Sequence, residues 1–137
     1  MTYVELHARS AFSFLEGASV PEDLIERCAQ LEIPAIALLD RNSISGAVRF
    51  HQQAKKAGVR AIIGSEIVAP EGFRYALLAE SQKGYRNLCR LITKIKLRTG
   101  HGEQEKSVAH PADLAEHAEG LVCLTGGDEG PLAPLGL

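Results

Sequence analysis

Short apolar runs that end in a polar residue recur in the first half of the chain. Three of them are Tyr3–His7, Ala35–Asp40 and Arg60–Glu66. The second run is apolar without interruption up to its last residue, which is typical of a parallel strand covered on both faces. We therefore predict three strands, each closed by a histidine or a carboxylate.

Segments whose apolar residues have helical spacing lie between these strands and after them. Ser19 begins a Ser-Val-Pro-Glu capping box. Leu24, Cys28 and Leu31 share one face of the helix that follows. Gly58 ends a second helix, as glycine often does. Further helices are predicted at about Gly84–Arg98 and Pro111–His117, and further strands at Ile67–Ala69, Phe73–Ala79 and Leu121–Leu124.

The predicted order of elements is β-loop-α-β-α-β-β-β-α-α-β. Strands that alternate with helices favour an α/β fold with a mainly parallel sheet or part of a barrel. A chain of 137 residues is too short for a complete eight-fold barrel. We predict a single domain, residues 1–137, that forms a partial and distorted β/α barrel.

The three strand ends define a candidate site. In parallel α/β folds, the carboxyl ends of the strands carry the side chains that face the functional cleft. His7, Asp40 and Glu66 offer one imidazole and two carboxylates, which are ligand types for a divalent metal. They are the metal-ligand candidates of this sequence.

Arginines accompany these candidates. Arg9 lies two residues after the histidine, Arg41 directly follows the first carboxylate, and Arg74 opens the next strand. Arginine stays protonated and has no lone pair to give a metal. Its positive charge opposes cation binding and offers a bidentate partner to a carboxylate. We therefore expect arginine–carboxylate pairs at the strand ends, with phosphate binding by the arginines as the alternative.

Composition excludes several classes of protein. Hydrophobic residues make up 45% and charged residues 23% of the chain, as in an ordinary globular protein. The net charge of −2 argues against a whole-surface attraction to nucleic acid. No apolar run approaches the length of a membrane span, and the start lacks a secretory signal. Three cysteines without CxxC spacing favour reduced thiols in the cytoplasm.

Two stretches around the candidate ligands carry a resemblance to a known family. They are residues 6–19, Leu-His-Ala-Arg-Ser-Ala-Phe-Ser-Phe-Leu-Glu-Gly-Ala-Ser, and residues 39–46, Leu-Asp-Arg-Asn-Ser-Ile-Ser-Gly. The likeness extends through Gly64–Glu66, Leu77–Leu91, Glu116–Leu121 and Leu124–Gly127. The sequence resembles the start of the N-terminal PHP (polymerase and histidinol phosphatase) domain of bacterial family C DNA polymerases. It is most similar to the error-prone relative of the DNA polymerase III alpha subunit.

That resemblance implies a distorted β/α barrel that binds up to three metals at the carboxyl ends of its strands. Three family ligand positions keep their residue type: His7, Asp40 and Glu66. Three family histidine positions carry arginine instead: Arg9, Arg41 and Arg74. The resemblance therefore implies a degenerate metal site, with either no cofactor or a divalent metal such as Zn or Mn.

The function implied is that of one part of a larger polymerase, in DNA replication and damage-tolerant repair synthesis. With a degenerate metal site, the domain is predicted to be a structural scaffold or docking module. The alternative is a metal-dependent phosphoesterase or 3′–5′ exonuclease, as active members of the family suggest. The implied partners are DNA, reached through the parent polymerase, and other polymerase or replisome subunits, without a membrane.

Three further features leave alternatives open. A basic stripe on the helix near residues 84–98 is either a solvated face or a contact for DNA phosphates. Its members are Lys83, Arg86, Arg90, Lys94 and Arg98. The pair Gly126-Gly127 is either a plain turn or a phosphate cradle. A partial barrel leaves a strand edge and an apolar face open, which predicts a homodimer or larger assembly.

Overall fold

The structure is a computed structural model that describes residues 2–136, except for the side chain of Gln104. Within this part the chain forms five β-strands and four α-helices. In chain order they are β1 (Glu5–Ala8), α1 (Pro21–Gln30), β2 (Ala35–Arg41), α2 (Ala47–Ala57), β3 (Arg60–Val68), β4 (Arg74–Ala79), α3 (Gln82–Thr99), α4 (Pro111–His117) and β5 (Leu121–Leu124). Contacts divide the chain into two compact units, Met1–Ser65 and Glu66–Leu137.

The first two strands, β1 and β2, pair in parallel. β1 lies beside β2, and β3 follows β2 in the strand order. The register sets Glu5 opposite Ile36 and Ala8 opposite Leu38, so three steps along β1 match two steps along β2. This irregularity is typical of a bulge, and His7 lies within it.

The helices of the first unit pack on each other and build its core. α1 contacts both α2 and β2. The core cluster consists of Ile25, Cys28, Ile36, Leu38, Phe50, Ala54 and Val59. Leu31, which was predicted on the buried face of α1, is instead 53% exposed where the helix ends. The buried face runs through Pro21, Ile25 and Cys28, at helical spacing, and stops before Leu31.

The capping box predicted for α1 is wrong. Val20 is the N-cap residue, without a side-chain hydrogen bond, and Pro21 is the first helical residue. The carbonyl of Ser19 accepts a hydrogen bond from the N–H of Ala11 at 2.8 Å, so Ser19 closes the preceding loop instead. The fixed backbone angle of the proline supplies the start of the helix.

The second unit contains the end of β3 followed by β4 and β5 in the strand order. β4 and β5 are antiparallel, with Ala76 opposite Leu124 and Ala79 opposite Leu121. The prediction of mainly parallel strands is therefore wrong, because the strand pairs are mixed. The two predicted helices, α3 and α4, do lie between β4 and β5, but their pattern does not determine the direction in which the chain enters β5.

β3 is longer than the sequence predicts. The predicted strands Arg60–Glu66 and Ile67–Ala69 form one strand that continues to Val68. No turn-forming residue separates them, and Glu66 therefore lies inside the strand rather than at its end. The turn that follows is closed by the N–H of Ala69, which donates to the Phe73 carbonyl at 2.9 Å.

α3 carries the core of the second unit. Its start is capped by Ser81, whose hydroxyl oxygen accepts a hydrogen bond from the N–H of Gly84 at 3.1 Å. Its buried face contains Leu88, Leu91, Ile92 and Ile95. Gly84 lies so close to the turn at Gly120 that a Cβ on it would be 1.8 Å from the Gly120 carbonyl oxygen. Between residues 2 and 136, no helix combines the length and apolarity that a membrane span requires.

Candidate functional site

Asp40 is the best-defined of the predicted ligands. It lies near the end of β2 and is 1% exposed. The Ser10 N–H donates to Oδ1 at 2.7 Å and the Ser10 hydroxyl donates to Oδ2 at 2.7 Å. The Ser13 hydroxyl donates to Oδ1 at 2.6 Å. These three donors replace water around a buried carboxylate.

The loop between β1 and α1 contains both serines, and its backbone folds back on itself so that both face Asp40. The N–H of Ser13 donates to the Ser10 carbonyl at 2.9 Å, and the N–H of Gly17 donates to the Ser13 carbonyl at 3.0 Å. Glycine is required at position 17, since a Cβ there would lie 2.1 Å from the Ser10 oxygen. Both serines are buried, so polar side chains form the inner face of this loop.

Arg41 does not pair with Asp40, contrary to the expectation from the sequence. Neighbouring residues of a strand point to opposite faces, which directs the arginine away from the carboxylate. Its Nη1 lies 3.1 Å from Oε1 of Glu16 instead. The N–H of Arg41 also donates to the Ser13 hydroxyl oxygen at 3.1 Å. Arg41 therefore holds the loop against β2 from the other side.

The predicted arginine–carboxylate pair does form at Glu66, in the second unit. Nη1 of Arg74 lies 3.1 Å from Oε2 of Glu66, whose side chain is 1% exposed. The Glu129 carboxylate lies 3.9 Å from the same Nη1, and the Glu129 carbonyl accepts the Arg74 N–H at 2.7 Å. The guanidinium thus supplies the positive charge that compensates this buried carboxylate.

His7 lies on β1 and is exposed. Its backbone N–H donates to Oε1 of Glu5 at 2.8 Å. His7 and Asp40 belong to the first unit and Glu66 to the second. A metal site shared by these three residues stays a prediction.

The donors around the two carboxylates do not fit a bound divalent ion. An ion at Asp40 would have to compete with the hydroxyl and amide hydrogens that bind both carboxylate oxygens and occupy three of their roughly four lone-pair positions. An ion at Glu66 would lie beside the Arg74 guanidinium. In the described part of the chain, no group of three or more His, Cys, Asp or Glu side chains is arranged to hold a metal ion.

Ser10 and Ser13 are site residues that the sequence reasoning missed as partners of Asp40. The two serines lie in a segment that also contains Phe12 and Phe14, and aromatic side chains are usually the buried ones, so the local pattern does not indicate that the serines face inward. Nor does it identify a carboxylate 27 to 30 residues away as their partner.

A third buried carboxylate, Asp113, was not predicted. Arg98 holds it in a bidentate pair, with Nη1 2.9 Å from Oδ2 and Nη2 2.6 Å from Oδ1. The His110 N–H donates to Oδ2 at 2.9 Å, and Nζ of Lys94 lies 3.3 Å from Oδ1. The Arg98 guanidinium, assisted by these donors and against the opposing effect of burial, holds the pKa of Asp113 well below its usual range.

The basic stripe of α3 is partly neutralised by this region. Three of its members form ion pairs: Lys83 with Glu119, Lys94 with Glu116, and Arg98 with Asp113. Arg86 and Arg90 are exposed and form no ion pair within residues 2–136. Much of the stripe therefore joins α3 to α4 and to the turn after it.

An apolar hollow of about 280 Å³ lies in the second unit, lined by β4, β5, α3 and the region of α4. Leu77 and Leu91 form its buried floor, and Ala115, Ala118 and Cys123 form an exposed rim. Partial desolvation by the neighbouring lining raises the pKa of the Cys123 thiol, which is therefore protonated at neutral pH. No local sequence pattern indicates this hollow, because its lining comes from four separate elements.

Comparison with known proteins identifies a domain family. The family model described as PHP domain matches residues 5–135. The chain is 39% identical to an error-prone DNA polymerase of Symbiobacterium thermophilum, over 98% of this chain and 14% of that protein. It is 42% identical to an error-prone DNA polymerase of Anaeromyxobacter sp. strain K, over 93% of this chain and 12% of that protein. It is 40% identical to the DNA polymerase III subunit alpha of Vibrio cholerae, over 93% of this chain and 11% of that protein.

Two solved structures share the fold at low sequence identity. One is a Bifidobacterium adolescentis protein assigned as a metal-dependent phosphoesterase, with a TM-score of 0.54, 16% identity, and coverage of 86% of this chain and 44% of that one. The other is an amidohydrolase from Chromobacterium violaceum, with a TM-score of 0.54, 19% identity, and coverage of 82% and 42%. These likenesses confirm the predicted α/β fold class and carry no further argument.

Proposed function

Because the chain belongs to the PHP domain family, we propose that it is the PHP portion of an error-prone DNA polymerase or of a DNA polymerase III alpha subunit. The resemblance seen in the sequence is confirmed by the family match and by the named relatives. The chain spans only 11 to 14% of the length of those relatives. Its proposed role is that of a scaffold within a polymerase that works in replication and damage-tolerant repair synthesis.

One observation supports the structural role most strongly: the Asp40 carboxylate is bound by Ser10 and Ser13 on both oxygens. A metal-dependent hydrolase needs carboxylate lone pairs for its ions and an ion-bound water as nucleophile. Here three of the roughly four lone-pair positions of the Asp40 carboxylate accept protein hydrogens. We infer that the site holds the loop to β2 by hydrogen bonds and has lost the family's metal chemistry.

The arginines that the resemblance places at three family histidine positions support the same role. Arg41 pairs with Glu16 and Arg74 pairs with Glu66, so two of the three arginines join segments of the fold. A guanidinium fixes a carboxylate through charge and geometry without any ion. We therefore interpret these substitutions as structural replacements for metal ligation.

The second candidate function is a metal-dependent phosphoesterase or 3′–5′ exonuclease that uses His7, Asp40 and Glu66. The retained ligand types favour it, since an imidazole and two carboxylates are sufficient ligands for one Zn or Mn ion. It requires the two serine hydroxyls to release Asp40 and an ion to bind close to Arg74.

The proposed partners follow from the parent polymerase. They are DNA, reached through the rest of that polymerase, and other polymerase or replisome subunits. We place the protein in the cytoplasm, where its three free cysteines stay reduced. We also propose the homo-oligomer that an open barrel predicts, with β5 as an edge strand that has one neighbour.

Hydrolysis assays separate the two functions. The purified chain is incubated with a chromogenic phosphate ester and with labelled single-stranded DNA, each with added Mn²⁺ or Zn²⁺. We expect no turnover above that of Asp40→Ala. Metal-dependent turnover that is lost in His7→Ala and Asp40→Ala, and kept in the control Asp128→Asn at an exposed carboxylate, would establish the hydrolase instead.

A further inference from the structure

Positive charge is left uncompensated on one side of α3. This helix contains six lysines and arginines and no aspartate or glutamate. Three of these cations form ion pairs with carboxylates that lie outside the helix: Lys83, Lys94 and Arg98. Arg86, Arg90 and Lys96 form no ion pair with any residue that the structure describes. We call Arg86 and Arg90, which are both exposed, the basic face of α3.

The two guanidinium groups of the basic face are neighbours. Residues four apart in a helix lie on the same side of it, with Cβ atoms roughly 5–6 Å apart. Thr93 and Leu97 continue this exposed side toward the end of α3. Lys96 is half-buried and lies six residues after Arg90, which is about 9 Å along the helix axis. That distance is within the Debye length of roughly 10 Å at 0.1 M salt, so Lys96 adds to the positive potential at the basic face.

The packing of α3 limits the kind of anionic partner that the basic face suits. Leu88, Leu91 and Ile95, on the other side of the helix, are 0% exposed in the core of the second unit. A helix that lies on a membrane inserts its apolar side among the lipids, and in α3 that side is already buried. The helix exposes Leu97 near its end, and a single apolar side chain is not a membrane-binding surface. The basic face therefore favours a polyanion in water over an anionic membrane.

We propose that the basic face of α3 binds the phosphate backbone of DNA directly, without reading its base sequence. A guanidinium matches the geometry of a phosphate, and contacts to phosphates carry no sequence information. The choice of DNA over an acidic protein rests on the function proposed above, in which the chain is part of a DNA polymerase. The net charge of −2 confines the attraction to this face, so binding is weak and depends strongly on salt.

Fluorescence anisotropy of a short labelled DNA duplex, titrated with the purified chain in EDTA, tests this contact. Arg86→Gln combined with Arg90→Gln removes both charges and keeps good helix formers at exposed positions, so the fold is preserved. We expect this face variant to bind at least about tenfold more weakly than the wild type at about 50 mM salt. Each lost phosphate contact lowers the slope of log affinity against log salt by roughly 0.9, so the slope should fall by about two.

A matched control separates the basic face from the overall charge of the chain. Lys55→Gln combined with Lys56→Gln removes the same amount of charge from exposed positions near the end of α2. We expect this control to bind the duplex like the wild type and with the same salt slope. A control that weakens as much as the face variant, or a wild type that does not bind at low salt, overturns the proposal.

Two competitors identify the class of partner. Polyglutamate offers carboxylates, and vesicles of equal parts phosphatidylcholine and phosphatidylserine offer an anionic membrane. We expect neither to displace the labelled duplex at an equal concentration of negative charge. Displacement by either one that matches displacement by unlabelled duplex assigns the basic face to an acidic protein or to a membrane and contradicts a DNA contact.

This test and that of the scaffold role fail independently. A chain that does not bind the duplex leaves the scaffold role standing, because hydrolysis assays test that role at Asp40. Metal-dependent hydrolysis would overturn the scaffold role, whereas binding of the duplex by the basic face is measured in EDTA and needs no metal ion.

Discussion

A single buried carboxylate organises the loop between β1 and α1. Asp40 accepts its three hydrogen bonds from Ser10 and Ser13, and it has no arginine partner among the described residues. Burying a carboxylate is unfavourable unless donors replace the lost water. Each hydrogen bond to a charged group contributes roughly 1.5–3 kcal/mol in mutational series. The buried positions of Ser10 and Ser13 therefore depend on the Asp40 carboxylate.

Asp40→Asn replaces one carboxylate oxygen, an acceptor, with an amide NH2 group. The hydrogens of that group then face hydrogen-bond donors of Ser10 or Ser13. We expect the free energy of unfolding to fall by about 2–4 kcal/mol, since buried donors lose their acceptor. Urea unfolding followed by circular dichroism measures the change. The exposed control Asp128→Asn should change stability by less than about 0.5 kcal/mol. An Asp40→Asn protein as stable as the wild type would show that the carboxylate is no anchor.

Gly84→Ala tests the close approach between the start of α3 and the turn at Gly120. Helix propensity alone would favour alanine by up to about 1 kcal/mol. The added Cβ would lie 1.8 Å from the Gly120 carbonyl oxygen, so we expect a loss of about 1–3 kcal/mol or more. Gly127→Ala is the control, because a Cβ there meets nothing within 4 Å. A stabilised Gly84→Ala protein in thermal unfolding would exclude the close contact.

At the scale of secondary-structure elements, Asp113 makes a polar connection between α3 and α4. Arg98 near the end of α3 makes a bidentate pair with this carboxylate in the first turn of α4, and the His110 N–H completes it. The Asp113 side chain is 5% exposed while the Arg98 side chain is 40% exposed. Water screens the arginine side, so the pair contributes less than a fully buried one.

The pH dependence of stability reports on this connection. The folded-state pKa of Asp113 is lower than its unfolded value, so its contribution is complete above about pH 4 and is lost as the pH falls further. We expect Asp113→Asn to be less stable than the wild type by about 1–3 kcal/mol at neutral pH. That difference should shrink steadily in urea titrations below about pH 4. A difference that is the same in acid and at neutral pH would exclude the charge-assisted pair.

Element positions were largely readable from the sequence, but pairings between elements were not. Gly58 ends α2 in a left-handed conformation and Ser81 caps α3, as their local patterns indicate. The reversal of β5 relative to β4 depends on how the intervening helices pack, which no local pattern records. The link from Asp40 to Ser10 spans 30 residues, so periodicity carries no trace of it.

For the whole molecule, family membership was predictable and site chemistry was only partly so. The motif residues identified the PHP family, which the match over residues 5–135 confirms. The same motif marked His7, Asp40 and Glu66 as ligands, and that assignment stays a prediction. A motif does not show which protein donors compete with a metal ion for a carboxylate. For Asp40 these donors are two serines, and for Glu66 the donor is an arginine.

Isothermal titration of Mn²⁺ and of Zn²⁺ into the chelator-treated chain tests most directly whether protein donors have replaced metal ions in this domain. If Asp40 and Glu66 serve the fold as we propose, neither metal binds in a stoichiometric amount, and the heats match those of Asp40→Asn and Glu66→Gln. Binding of one or more ions per chain that disappears in both variants would contradict the structural role and favour the hydrolase.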